Sequence, residues 1–149
     1  MSRDAPDVTV AVVAARDGRL LCVEERINGR RVLNQPAGHL EPGETLVEAA
    51  VRETREEAGW NVHITALIGI HQWANPISNV RYLRFAFAAD PLDEIPGAQL
   101  DAGILRALWL TPTELQSEAA RHRSPLVWRD AEAFLGGCRY PLALLDALP

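Results

Sequence analysis

Gly38-His39-Leu40-Glu41-Pro42-Gly43-Glu44-Thr45-Leu46-Val47-Glu48-Ala49-Ala50-Val51-Arg52-Glu53-Thr54-Arg55-Glu56-Glu57-Ala58-Gly59-Trp60 is the stretch that decides how this chain is read. Wound as one helix, it places Glu56 about 60° to one side of Glu53 and Glu57 about 40° to the other, so three carboxylates share a narrow face. Like charges so close raise one another's pKa and weaken the helix unless a cation sits among them. A hard divalent ion, which takes oxygen ligands, fits that place.

The same helix carries Val47, Val51, Thr54 and Ala58 at i, i+4, i+7 and i+11, the stripe expected to bury against a sheet. Leu46, Ala49 and Ala50 form a second, small-residue face that runs into the glutamates. Pro42-Gly43 turns the chain into the helix and Gly59 suits a left-handed stop after it. The competing reading is a solvated helix laced by Glu48 with Arg52 and Arg52 with Glu56 at i, i+4. It explains neither the Gly38 to Glu44 spacing nor the apolar stripe.

Gly38, Glu44, Arg52, Glu53, Glu56, Glu57 and Gly59 stand at the spacing of the box that defines the Nudix family: glycine, five residues, glutamate, seven residues, then Arg-Glu-x-x-Glu-Glu-x-Gly. Thr54 and Trp60 occupy positions where that family usually has an aliphatic residue, and the chain is similar to it everywhere else in the box. The resemblance implies an α/β/α sandwich with a mixed β-sheet and hydrolysis of a phosphoanhydride. It implies Mg2+ as cofactor, with Mn2+ as a substitute, held by Glu53, Glu56, Glu57 and the backbone carbonyl of Gly38. Glu57 is the choice for general base, and Arg52 and Glu44 orient the ligands by salt bridge.

Further motifs extend the resemblance along nearly the whole chain, towards a phosphatase branch of the family: 8–11, 23–25, 27–29, 34–41, 71–73, 123–127 and 139–142. That branch implies release of orthophosphate from nucleoside triphosphates and diphosphates and from thiamine-type pyrimidine pyrophosphates. Release of diphosphate from a nucleoside triphosphate, or nucleotide binding without turnover, are the alternatives. The last of these predicts lost glutamates, and all are present.

The 149 residues, 48% hydrophobic and 23% charged, suit a single domain over 1–149. A net charge of −5 argues against nucleic acid or an anionic membrane as partner. All 15 basic residues are arginine, which reads first as a bias of genomic composition, although each also brings a planar fork suited to phosphate oxygens. Cys22 and Cys138 form no Cys-x-x-Cys pair, Met1 to Asp7 has no apolar signal core, and no run reaches membrane-spanning length, so a reduced cytoplasmic protein, monomer or homodimer, is expected. No Gly-x-Ser-x-Gly elbow offers a covalent nucleophile.

Strands are expected at Val8 to Ala15, Arg19 to Glu25, Arg31 to Leu33, Val62 to Gln72, Val80 to Ala88 and Ile104 to Leu110, with 34–41 and 90–101 as loops. Helices follow from Thr111-Pro112 to about His122 and from Ser124-Pro125 to about Phe134. A short apolar tail, Leu142 to Leu148, is expected to dock. Trp73 either stacks on a substrate ring or fills the core. Gln35 and His39, flanking Gly38, either contact substrate or hold the loop. Arg84 and Arg81 lie on opposite faces of their strand, so at most one faces a given cleft, and Arg84 is taken as the substrate contact. Asp101 is a candidate extra acid, and Arg123 and Arg139 reach phosphate or form surface ion pairs. His63 and His71 lack a third metal ligand at matching spacing and read as structural. Glu24-Glu25 reads as a strand edge reaching water.

Overall fold

The computed structural model describes residues 4–149; the first three residues of the stretch expected to lack a signal core lie outside it. Seven strands, β1 (Asp7–Arg16), β2 (Arg19–Ile27), β3 (Arg30–Asn34), β4 (Ala37–His39), β5 (Trp60–Ala74), β6 (Arg81–Glu94) and β7 (Ile104–Leu110), make one sheet. Helix α1 (Leu46–Ala58) packs on one face, while α2 (Pro112–Ser117) and α3 (Leu126–Leu135) cover the other. The order is β3-β2-β1-β6-β5, with β4 beside β1 and β7 beside β2. Strand β1 runs parallel to β6, from Asp7 opposite Tyr82 to Ala14 opposite Ala89, and the other named pairs are antiparallel. The sheet is therefore mixed, as expected.

Alternation along the strands feeds two cores. Val10, Val12, Ala14, Leu21, Val23 and Phe87 point to α1, whereas Val13, Leu20, Cys22, Ala86 and Ala88 point to Leu115, Val127 and Ala131. A strand covered on both faces must be apolar at consecutive positions, which is why 8–15 reads as a continuous run. Burial pushes the Cys22 thiol up to about 12, so it serves as a small hydrophobe.

Helix α1 departs from the expected stripe. Ala49, Ala50 and Thr54 are fully enclosed, while Val47 and Val51 are only half-buried at the margin of the core. The small residues let the helix axis approach the sheet, and the larger valines are turned towards its rim. Thr54 completes the fit by returning its hydroxyl to the Ala50 carbonyl at 2.8 Å. Thr45 caps the helix by accepting the Glu48 N–H at 3.1 Å. Gly59 stops it at φ 70°, a left-handed conformation that costs a side chain dearly.

Several boundaries move. Strand β6 continues through Pro91 to Glu94, into a segment expected to be loop. Its pairing with β1 ends at Ala89, so beyond that point β6 has β5 on one side alone and Pro91 withdraws no needed donor. The stretch 34–41 holds the short strand β4, with Gly38 opposite Val10. The helix expected to reach His122 ends at Ser117 and gives way to a 3₁₀ turn over Ala119–Arg121. In the tail, Leu142 and Leu145 pack on the core while Leu144 and Leu148 face outwards.

Candidate active site

A cleft of about 450 Å³ opens where the acidic face of α1, strand β4, the ends of β3, β5 and β6, and the start of α3 meet. Its walls include Gly38, His39, Arg52, Glu53, Glu56, Glu57 and Asp101 towards the helix, and Asn34, Trp73, Asn75, Tyr82, Arg84, Arg123 and Ser124 elsewhere.

Arg52 is the hub of the acidic end. Its Nη2 donates to Glu44 at 2.6 Å and to the His39 carbonyl at 2.9 Å, and its Nη1 donates to Glu53 at 2.8 Å and Glu56 at 3.1 Å. The Arg52 hydrogen bond holds Glu44 below the usual carboxylate range. Glu53, 8% exposed, is pushed up by burial, with Arg52 opposing. Gly38 has no room for a side chain, because a Cβ there would land on the Glu53 carboxylate.

The carboxylates whose oxygens converge, all within 4.8 Å of one another, are Glu53, Glu56 and Asp101. Asp101 arrives because its backbone N–H donates to the Glu56 carbonyl at 2.9 Å, capping a free carbonyl at the end of α1. Glu57, expected in the ligand set, shares the cleft but stands apart from this trio. Its Oε1 accepts the Ala37 N–H at 2.8 Å. Burial raises its pKa to about 8, helped by the nearby charges of Glu25, Glu53 and Asp101 and opposed by the Ala37 hydrogen bond. A three-carboxylate oxygen set on one wall, with a glycine cradle beside it, fits a hard divalent cation.

Among the expected substrate contacts, Trp73 lines the cleft and stacks on Tyr82, with centroids 5.8 Å apart and planes at 19°. His39 stands exposed at the rim, 3.2 Å from Asp7. Gln35 does not reach the cleft. It is 2% exposed, donates to the Val127 carbonyl at 2.6 Å and accepts from Arg84 at 2.8 Å, so its amide ties α3 to the sheet behind the wall. Arg84 does line the cleft, yet its Nε and Nη2 are committed to Asp130 and Gln35. Asp130 also bonds His71 at 2.6 Å, which accounts for that histidine structurally.

Glu24 and Glu25 do not reach water. They are 4% and 6% exposed, since a register shift between them on a strand flanked by β3 and β7 turns successive side chains inwards. Glu24 pairs with Arg106 and Arg121, and Glu25 holds Arg123 at 2.7 Å against the cleft. Arg139 lies instead on the Phe134 ring, 4.4 Å from its centroid. Asn34, Asn75, Tyr82 and Ser124 were not singled out as site residues in the sequence. Asn34 and Ser124 left a signal, as members of the 34–41 and 123–127 motifs.

An acidic helix docked on a mixed sheet, with its glutamates facing a glycine-walled cleft, defines the Nudix class, and the chain belongs to that family: the NUDIX domain model matches residues 5–129. The chain is 43% identical to Phosphatase NudJ of Escherichia coli strain K12 over 140 residues, 94% of this chain and 90% of that protein. It superposes on a NUDIX hydrolase from Nitrosomonas europaea with a TM-score of 0.94, at 42% identity, covering 97% of this chain and 98% of the other. A second NUDIX hydrolase from that organism, at 23% identity and TM-score 0.73 over 93% and 77% of the two chains, shares the fold. No helix among the described residues is long and apolar enough to cross a membrane.

Proposed function

We propose that this Nudix hydrolase removes the terminal phosphate of nucleoside triphosphates and diphosphates and of thiamine-type pyrimidine pyrophosphates, releasing orthophosphate with Mg2+ or, in its place, Mn2+. The observation that carries the reading is one cleft lined both by converging carboxylates and by the stacked Trp73–Tyr82 pair. The phosphatase similarity over 94% of the chain supports the choice of bond. When bound, the cation would neutralise phosphate charge and lower the pKa of a water.

In this reading Glu53, Glu56 and Asp101 hold the cation, with the Gly38 carbonyl beside them, and Glu57 completes the set or serves as base. Burial raises the Glu57 carboxyl to about 8, which suits a base, and a cation nearby favours its charged form. Arg52 fixes the Glu53 and Glu56 carboxylates in place and is itself anchored by Glu44. Trp73 receives the ring, and Arg123 is aimed at phosphate by Glu25.

The test is a panel of nucleotides and pyrimidine pyrophosphates with Mg2+, assayed for orthophosphate against diphosphate. Orthophosphate release supports the proposal. Diphosphate as the sole product overturns the choice of bond, and full turnover by Glu57→Gln overturns the assignment of the base.

A further inference from the structure

Asn34 closes β3, paired through the strand with Val23, so its side chain is not needed to hold the sheet. The residue is 5% exposed and lines the cleft. Its Oδ1 is the one buried side-chain oxygen or nitrogen among the described residues without a hydrogen-bond partner. The adjacent amide offers a direct contrast, since Gln35 satisfies both of its ends within the protein. A carbonyl oxygen enclosed without a donor weakens the fold by about 1–3 kcal/mol, so its retention in the wall of a binding cleft points to a donor that arrives with the substrate.

Phosphate does not meet that need. Its oxygens are acceptors, and two anionic or carbonyl oxygens repel. The donor must belong to the other end of the substrate. The edge of a flat ring is where such a donor is carried, and the Trp73–Tyr82 pair in the same cleft offers the ring a stacking surface. A carboxamide also matches the edge of an aminated heterocycle at two points, its oxygen taking the exocyclic N–H while its nitrogen donates to the adjacent ring nitrogen.

On the reading of the chain as a phosphohydrolase of ring-bearing substrates, we propose that Asn34 is its specificity residue. Its Oδ1 accepts a hydrogen bond from the exocyclic amine of a 6-aminopurine or 4-aminopyrimidine ring lying beside Trp73.

The experiment is equilibrium binding of nucleoside 5′-monophosphates by calorimetry with Mg2+ present. These compounds have no phosphoanhydride, so no turnover intervenes. One arm compares AMP with purine riboside monophosphate and the other CMP with 2-pyrimidinone riboside monophosphate, each pair differing by the amine. Wild-type protein should favour the aminated partner in at least one arm by roughly tenfold to a hundredfold, and the arm that responds names the ring. Asn34→Leu should abolish that gap, whereas Asn34→Asp, which keeps the acceptor, should preserve it.

Equal binding within each pair, a gap that survives Asn34→Leu, or a gap lost in Asn34→Asp overturns the proposal. So does a dependence on the ribose 2′-hydroxyl, read from dAMP and dCMP, in place of the amine. If Asn34→Leu fails to fold, the wild-type gap and the aspartate variant decide. Turnover without amine preference leaves the phosphohydrolase reading standing and removes this one, and amine preference without turnover does the reverse.

Discussion

Replacing Asp130 with asparagine should be among the most destabilising single changes in the molecule. The Asp130 side chain is fully enclosed, with Oδ1 on His71 at 2.6 Å and Oδ2 on Arg84 at 2.8–2.9 Å. Arg84 is itself 6% exposed, so loss of the carboxylate strands a guanidinium in the interior. Breaking one side of such a pair costs about 3–5 kcal/mol. Asparagine keeps one carbonyl acceptor, which sets the expectation at the low end, about 3 kcal/mol. For a domain of this size that lowers Tm by roughly 6–12 °C. Urea unfolding of wild type, Asp130→Asn, Arg84→Met and the double variant closes a cycle. The double variant should be no less stable than Asp130→Asn alone, because the stranded charge is gone. A loss under about 1 kcal/mol, or strictly additive single effects, would refute the claim that the pair is electrostatically coupled.

Gly38→Ala should leave the urea midpoint near that of wild type yet lower Mg2+ affinity and turnover, because the new methyl displaces the Glu53 carboxylate; unchanged metal titration refutes it. Arg52→Gln should weaken Mg2+ binding by about tenfold to a hundredfold through loss of ligand orientation, read by calorimetry on the ligand-free protein. The hydrogen bond from Arg121 holds Glu24 below its ordinary pKa, with Arg106 assisting. A carboxyl depressed in the folded state adds stability above its unfolded value near 4.5, and that stability is lost as pH falls through the folded value. The urea midpoints of wild type and Glu24→Gln should therefore differ at pH 7 and converge below about 4.5; a gap independent of pH would count against the ion pairs.

What the sequence made legible followed from short-range geometry. Helical periodicity put Glu53, Glu56 and Glu57 on the face of α1 that lines the cleft, though only the first two converge, Thr111-Pro112 announced α2, and the alternation in 80–88 separated Arg84 from Arg81. What stayed hidden depends on contacts between distant segments. Asp101 is a candidate acid from the sequence, but its place in the carboxylate cluster is set by a backbone bond to Glu56, across a stretch with no periodic pattern. Glu24 and Glu25 look like a solvated pair until a register shift, set by β3 and β7, turns both inwards. Gln35 looked available because its partners, Arg84 and Val127, lie far along the chain. The inversion on α1, alanines innermost and valines at the rim, is a matter of how closely two layers approach, and hydrophobicity alone does not report it.

The parallel pairing of β1 with β6 sets an order of events at synthesis. Asp7 meets Tyr82 and Ala14 meets Ala89, so β1 leaves the ribosome well ahead of β6 and waits for a partner some seventy-five residues behind it. Strand β2 waits longer still, for Leu110 to reach Leu20. Until then the valines of β1 have no neighbour on that edge, and a nascent chain halted before residue 82 would present them to whatever else is in reach.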